Sequence, residues 1–408
     1  EPEPAADAGI PAEAGADPGA QPGTDSRPEG AGPGDAVPGA TVVTVQLPGR
    51  DPIWAKLLIA FGTILVLLSG GVIGAERLVL AKVEHSVHRE TLLAPEARAT
   101  VAEEHLAITG PLNYLLIGSD ARADNPSNGE RSDTVIVLHI PASMDRAYLI
   151  SIPRDLRVHI PPFKPTDFHG AYEKINGAFQ YGGGGAGGVQ LLSQTLSTLL
   201  GIQFNGAVIV DFSGFSKVVD ELGGVDMCVD VRTESIHIGH DRNGKFLAPR
   251  YGPEAAYRNL DSTPMVYEPG CRHFVGWEAL DYVRQRKTLP NGDYDRQRHQ
   301  QQFLRAVLER AQSNGLTANP LALNRLIGAV GGSLTVDTND VPLGELMYAL
   351  RTIGSSSLSG IAVPSEPRMI GGISYIVDLP EAESLYEALR EDALDPWIIS
   401  NPLWINQV

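Results

Sequence analysis

Only two cysteines, Cys228 and Cys271, occur in 408 residues, and no C-x-x-C or H-E-x-x-H spacing is present. Thiol redox motifs and the helical zinc-protease pattern are therefore excluded. Ser119 stands in GSDAR and not in a G-x-S-x-G elbow, which removes that class of serine hydrolase. The glycine run GGGGAGG at 182–188 lacks the Gly-Lys-Ser/Thr ending of a phosphate loop and reads as a flexible loop or a lid. His237 and His240, in IHIGHDRNG, find no third metal ligand at a convincing spacing and read as a solvated loop. Positive charge is scarce: 32 Lys and Arg face 49 Asp and Glu, a formal net charge of -17. With no basic recognition helix either, nucleic acid is excluded as a partner. No internal repeat is visible.

The chain is uneven along its length. Residues 1–50 form an acidic Ala/Gly/Pro-rich tail without hydrophobic periodicity, expected to be disordered and cytoplasmic. From Leu57 to Ala75, nineteen consecutive residues carry no charge, bracketed by Lys56 and Glu76. That length matches one membrane-spanning helix, placed at 53–76. A cleaved signal peptide is the competing reading, but the segment lies far from the start and has no persuasive cleavage site. Arg77, Lys82 and Arg89 after the span slightly outnumber Arg50 and Lys56 before it, so flanking charge does not settle orientation. The cysteines do point outward: an even pair outside the cytoplasm favours a disulfide, with two unrelated buried thiols as the alternative. A polar, helical stalk is expected over 77–109 and a folded extracytoplasmic domain over 110–408.

Within that domain, short apolar runs at 113–117, 134–140, 147–152, 207–212, 225–231, 360–363 and 373–377 read as strands. Helical patterns at 171–180, 189–200, 320–330 and 342–353 alternate with them. This alternation implies an α/β fold, a layered α/β/α domain around a central mixed β-sheet. In such sheets, ligands gather at the carboxyl ends of strands. The first strand ends in Asp120 and Arg122, the third in Arg154 and Asp155, and Arg131 with Asp133 follows in the loop between the first two. Asp120 and Asp133 are hard oxygen donors of the kind that hold magnesium already bound to phosphate. Each aspartate taken singly reads better as a turn or cap; the combination of carboxylates with several arginines is what points to a phosphate site.

The densest signal is YVRQRKTLPNGDYDRQRHQQQFLRAVL, residues 282–308. At about 100 degrees per residue, Arg296, Gln300, Phe303, Leu304, Val307 and Ala311 share one helical face whose polar head points into the fold or a cleft. Arg298 falls on the opposite side, expected to be solvated. Arg284 and Arg286 are two residues apart and converge only if the preceding helix ends there; Pro290 fits such a break. Half-buried guanidinium forks need carboxylate or phosphate partners. The residues allow both an internal network with Asp281, Asp293 or Asp295 and a site for a phosphorylated ligand.

NYLLIGSDAR, RSDTVIVLHI, SIPRDL, KINGAF, DFSGF, VDELGGVDMCV and YVRQRKTLPNGDYDRQRHQQQ occur in this order. Together they resemble the LytR-CpsA-Psr (LCP) family over about 113–311. The resemblance implies a membrane-anchored, extracytoplasmic phosphotransferase that moves a glycopolymer from a polyprenyl pyrophosphate carrier to peptidoglycan. It implies Mg2+ on Asp120 and Asp133, and a catalytic role for these two and for Arg154 of the PRD motif. Arg122, Arg284, Arg286, Arg296 and Gln300 match its pyrophosphate-binding set. Where family members commonly carry arginine, this chain has His299, which puts a fixed positive charge in doubt there. No accessory domain is recognisable after the matched region, so residues 320–408 are expected to complete the same domain. Two rival functions use the same residues: a polyprenyl pyrophosphate hydrolase, and a non-catalytic carrier-lipid receptor that regulates the envelope. Asp133 is the expected general base, and the apolar groove that an isoprenoid needs carries the same sequence pattern as ordinary core.

Overall fold

Strands β2 (Leu112–Ser119), β3 (Ser132–Ile140) and β4 (Ala147–Ser151) follow β1 (His88–Arg89) and are apolar on both faces, as strands covered from two sides must be. The computed structural model describes residues 88–100, 108–119, 132–241, 243, 246–247, 263–316, 326, 328–329 and 334–406. The expected tail and membrane span at 53–76 lie outside these residues. No helix among the described residues is long and apolar enough to cross a membrane.

The remaining strands are β5 (Arg157–Ile160), β6 (Ala171–Lys174), β7 (Gly206–Asp211), β8 (Val225–Val229), β9 (Thr233–His240), β10 (Phe246–Leu247), β11 (Thr263–Tyr267) and β12 (Gly270–Phe274). After them come β13 (Leu334–Asp337), β14 (Leu358–Ala362), β15 (Ser365–Ile370), β16 (Ile373–Asp378) and β17 (Ile405–Asn406). Helices are α1 (Asn176–Tyr181), α2 (Gly185–Leu200), α3 (Phe212–Glu221), α4 (Gly276–Arg284), α5 (Asp293–Ser313), α6 (Leu343–Leu350), α7 (Pro380–Arg390) and α8 (Leu394–Ser400). Eight strands form a central mixed sheet in the order β1-β13-β7-β2-β3-β4-β14-β17. The pairs β7 with β2 and β4 with β14 are parallel, whereas β2 with β3 and β3 with β4 are antiparallel. The carboxyl ends of β2, β4, β7 and β14 therefore meet the start of β3 along one edge.

Alternation along the strands sorts side chains to two faces. Leu115, Ile117, Val135, Val137, Tyr148 and Ile150 join Leu192 and Leu196 of α2 and Leu385 and Leu389 of α7 in the larger core. Leu112, Tyr114, Ile140 and Ala147 face the other way, onto Leu346 of α6 and Ile353. On that second face α5 is riveted to the sheet by Gln301, fully buried, whose Nε2 donates to the Leu149 carbonyl and Ser151 Oγ at 2.8 Å and to the Ile361 carbonyl at 3.1 Å. A further cluster, including Val225, Tyr267, Tyr282 and Phe303, joins α4 and α5 to the strands β8, β11 and β12.

Three expectations differ from what is found. Residues 88–100 are not a helical stalk: β1 pairs in parallel with β13, and Leu92 and Leu93 are completely buried, their amides donating to Asp337 Oδ2 at 2.8 and 3.1 Å. Apolar side chains at 92–94 with a buried carboxylate waiting for their amides make this segment part of the domain. The helix expected over 171–180 is split into β6, which pairs with β5, and the short helix α1. The glycine run is not a lid either, because α2 begins inside it at Gly185. A Cβ at Gly182 would meet the Gly187 carbonyl oxygen at 2.3 Å, and one at Gly188 the Phe179 carbonyl oxygen at 2.6 Å, so glycine lets α1 and α2 pack backbone to backbone.

Cys228 and Cys271 sit opposite each other on β8 and β12 and are joined in a disulfide. Alkylation of unreduced, native protein is expected to label neither. Two labelled thiols per chain would show that the bond does not form.

Candidate active site

Asp133 lies inside β3, one residue from its start, and not in the preceding loop. The β2–β3 register jumps from Thr134 to Ser132, so Asp133 is the extra residue at an irregularity of the sheet edge, fixed by its paired neighbours on both sides. Arg154 follows β4 at the same edge and its Nη1 donates to Asp133 Oδ1. Burial works against the Arg154 charge, but Asp133, Asp155 and Asp293 outweigh it and raise its pKa.

The opposite wall comes from the α4–α5 corner. Helix α4 ends at Arg284 because Gln285 turns extended, with φ −64 and ψ 137, and α5 restarts after Gly292 at φ +57. Acidic Asp293 and Asp295 occupy the first turn of α5, where the helix dipole favours them. Arg296 is almost wholly buried; its Nη2 lies 2.7 Å from Asp293 Oδ1 and donates to the Asp133 carbonyl at 3.1 Å. Burial lowers its pKa from the usual guanidinium value, the carboxylates of Asp293 and Asp133 resisting. Arg286 Nη1 stands 3.7 Å from both Asp155 Oδ2 and Asp293 Oδ1. The Arg284 guanidinium lies 4.0 Å from the centre of the Phe212 ring, and Gln300 Nε2 reaches the Val283 carbonyl at 3.5 Å.

Asp133, Arg154, Arg284, Arg286, Arg296 and Gln300 all line one cavity of about 570 Å3. Arg154 Nε, Arg286 Nη1 and Arg296 Nε are buried there without a hydrogen-bond acceptor. Three unsatisfied cationic donors converging on one space leave a place for an anion, because such groups are costly to bury unpaired. The internal-network reading of the segment is half right, for Asp293 does hold Arg296, yet the carboxylates do not use up the donors. Asp281 makes its hydrogen bonds elsewhere: it accepts from the Tyr267 and Ser235 hydroxyls at 2.8 and 2.9 Å and from Gln285 Nε2 at 2.8 Å.

Behind the arginines the same cavity is apolar. Leu116, Ile136, Val208 and Val210 line it from the sheet, Phe212, Phe215 and Val218 from α3, Leu280 and Val283 from α4, and Phe303, Leu304 and Val307 from α5. The α5 contribution is the stripe read from helical spacing, less Ala311. The sheet and α3 contributions were missed, since an alternating strand looks the same whether its inner face meets core or a cavity. His237 was also missed: it sits on β9, lines the cavity, and is not in a solvated loop. Burial, with Arg284 and Lys287 nearby, pushes its pKa down to about 4, so its imidazole is neutral.

Two residues of the arginine segment lie elsewhere. Arg298 is not solvated but bound to Asp230 and Asp295, each at 2.6 Å. His299 is fully buried, stacked on Tyr282 with ring centres 4.4 Å apart, and its Nε2 meets Asp230 Oδ1 at 2.9 Å. The arginine-to-histidine difference therefore changes a contact on the far side of α5. Asp120, Arg122 and Arg131 lie outside the described residues.

No group of three or more His, Cys, Asp or Glu side chains among the described residues is arranged to hold a metal. What the donor set does contain is Asp133, whose Oδ1 holds Arg154 while Oδ2 takes no part in that bond. One such carboxylate fits a magnesium ion that draws its other ligands from phosphate and water.

The wall carrying Leu280 and Val283 depends on Asp281. Burial pushes this carboxyl up to about 6 from 3.8, with Tyr267, Ser235, Arg284 and Gln285 restraining the rise. A carboxyl whose pKa is raised by folding stabilises the fold when protonated; that contribution is complete below about pH 4 and is lost as pH rises through about 6. Asp281→Asn is expected to flatten this part of a stability–pH profile measured by thermal melting. An unchanged slope would refute the assignment.

The LytR_cpsA_psr family model matches residues 79–391. A probable cell wall biosynthesis protein, LcpB of Corynebacterium glutamicum, is 31% identical over 70% of this chain and 62% of its own length. The polyisoprenyl-teichoic acid–peptidoglycan teichoic acid transferase TagU of Halalkalibacterium halodurans is 26% identical over 80% of this chain and 94% of its own. The chain thus spans less than two thirds of the first relative and nearly all of the second. Among solved structures, TagV of Bacillus subtilis superposes with a TM-score of 0.51 at 23% identity, covering 70% of this chain and 98% of that one. The likeness to TagV concerns the fold. With a family match running through the sheet, the arginine corner and the segment up to α7, the chain belongs to the LytR_cpsA_psr family.

Proposed function

We propose that the chain transfers a glycopolymer from a polyprenyl pyrophosphate carrier to peptidoglycan, from the outer face of a membrane in which residues 53–76 anchor it. One observation carries this reading: a single cavity joins buried, acceptor-less arginine donors to an apolar interior. A polyprenyl pyrophosphate has the same two halves, a dianionic or more highly charged head and a hydrocarbon tail. The relative TagU, 26% identical, is named for moving teichoic acid from a polyisoprenyl carrier to peptidoglycan, which agrees with this chemistry.

In the reaction, an acceptor hydroxyl attacks the phosphorus that bears the polymer. The bond from that phosphorus to the bridging oxygen breaks, and polyprenyl phosphate departs with the electron pair while the hydroxyl proton passes to a base. Arg154, Arg286 and Arg296 hold the phosphoryl oxygens and meet the charge that spreads over them, without reorganising during the step. Asp133 Oδ2 is the atom available to orient the acceptor or take its proton. Asp133, together with Asp120, would hold magnesium, which when bound supplies further charge neutralisation at the phosphates. The apolar walls hold the tail, and Arg122 joins the phosphate-binding set by its place in the first motif.

The test is product analysis. The full chain is incubated with magnesium, a lipid pyrophosphate-linked glycan and peptidoglycan fragments, and every product is identified by mass. A phosphodiester-linked conjugate that forms only when acceptor is present supports transfer. Free phosphorylated glycan in equal amount with and without acceptor would make the chain a hydrolase, and intact donor would make it a receptor.

A further inference from the structure

Among the described residues, the surface arginines Arg98, Arg146, Arg272 and Arg368 each grip a carboxylate. Arg157 does not. Its guanidinium carbon lies 4.7 Å from the centre of the Tyr172 ring and 5.9 Å from that of Tyr375, and no carboxylate among the described residues engages it. Pairing of β5 with β6 sets Arg157 opposite Lys174 and His159 opposite Tyr172, while Val158 and Ile160 turn inward and are buried. Tyr172 is 61% exposed, the only exposed aromatic among the described side chains. The His159 ring sets its centre 5.1 Å from that of Tyr172 in an edge contact.

This surface is linked to the cavity wall through Asp155. Lys174 Nζ is 3.0 Å from Asp155 Oδ1, and Asp155 Oδ2 lies 3.8 Å from Arg154 Nε and 3.7 Å from Arg286 Nη1. The Asp155 carbonyl accepts from the Ile376 amide at 2.9 Å, which ties β16 and its neighbour Tyr375 to the same spot. Two tyrosine rings hold the guanidinium in place and leave its fork open, an arrangement suited to bidentate capture of a carboxylate. An exposed tyrosine face beside it suits the apolar face of a sugar ring.

We infer that the Arg157–Tyr172 surface, backed by the buried Tyr375 ring, binds the acceptor glycan, with Arg157 taking a carboxylate and Tyr172 lying against a sugar ring. This rests on the transfer reading: the donor fills the cavity, so the acceptor hydroxyl must arrive from the solvent side of Arg154 and Arg286, where this surface stands. Charge complementarity names the occupant as an acidic glycan: Lys174 is paired with Asp155 and Glu173 Oε1 accepts from Tyr375 Oη at 3.2 Å, which leaves the Arg157 guanidinium as the charge of this surface that no carboxylate among the described residues holds.

The test measures binding of a soluble peptidoglycan fragment to the full chain, once with its carboxylates free and once with them amidated. Arg157→Ala is expected to weaken binding of the free form by about tenfold or more, the usual scale for a charge-assisted pair, and to leave the amidated form unaffected. Arg157→Lys, a point charge without a fork, does not restore it. Tyr172→Ala weakens both forms and Tyr172→Phe neither. Melting temperature and affinity for the polyprenyl pyrophosphate donor stay at wild-type values in all four. The inference is overturned if wild-type protein fails to bind the fragment, if Arg157→Ala and Tyr172→Ala bind it normally, or if Arg157 governs attachment to anionic lipid vesicles instead. Arg157-dependent fragment binding without any transferred product removes only the transfer reading. Transfer with an unaltered acceptor KM in both alanine variants removes only this inference.

Discussion

Replacing Arg296 by alanine is expected to cut transfer roughly 100- to 1,000-fold, the cost of removing one preorganised electrostatic donor, while the domain stays folded. Arg296 reaches Asp133 through its backbone carbonyl and Asp293 through its carboxylate, and it still has a buried Nε to offer a phosphate. Removing it leaves Asp293 with Gln297 Nε2 at 3.1 Å and Arg286 at 3.7 Å, so the carboxylate is not stranded. Alanine also suits a helix interior. The main loss therefore falls on the reaction and a smaller one on stability. Arg296→Lys retains a charge but not the fork and is expected to recover only part of the rate. Circular dichroism and thermal melting establish folding, and initial rates of conjugate formation establish the defect. A folded alanine variant with near-wild-type rate would sink the assignment of Arg296 to the phosphates.

The second large effect is expected from filling the apolar half of the cavity. Val307 lies on the α5 stripe below Gln300 and lines the space directly. Tryptophan at this position projects into a void and not into close-packed core, so overpacking strain is small. If the indole excludes about 100 Å2 of lipid burial, the loss is about 2.5 kcal/mol, or roughly 70-fold in donor affinity. The arginines are untouched, so binding of a short, water-soluble pyrophosphate analogue should not change. Parallel titrations with the long-chain and short-chain compounds separate these outcomes. Equal loss for both would mean that Val307→Trp disturbs the phosphate end, and no loss for either would place the lipid elsewhere.

These two substitutions also mark what could and could not be read before the fold was known. Arg296, Gln300, Phe303, Leu304 and Val307 were legible as one wall because helical periodicity leaves only one face for them. The strands β2, β3, β4 and β7 were legible as apolar runs, and their carboxyl ends pointed to Arg154. Which residues of those strands face a void was not legible: Leu116, Val208 and Val210 differ from Leu115 and Ala207 only by facing the other side of the sheet. Short β6 was hidden because residues 171–174 carry no strand-like apolar alternation, their outer face being Tyr172 and Lys174, and β5, though Arg157–Ile160 alternates, is only four residues long. Residues 88–100 read as a stalk because the carboxylate that accepts the Leu92 and Leu93 amides, Asp337, lies 245 and 244 residues away. Helical spacing did place Arg298 away from the cavity; what it could not show is the tertiary partner Asp230, which takes Arg298 out of solvent and receives His299 Nε2.

The most direct test of the central claim is an experimental structure of the chain with a long-chain polyprenyl pyrophosphate bound. The account predicts phosphate oxygens within about 3 Å of Arg154 Nε, Arg286 Nη1 and Arg296 Nε, with the isoprenoid running between β7 and α5 past Val210 and Val307. A pyrophosphate bound away from these arginines, or a tail lying outside that cavity, would contradict it.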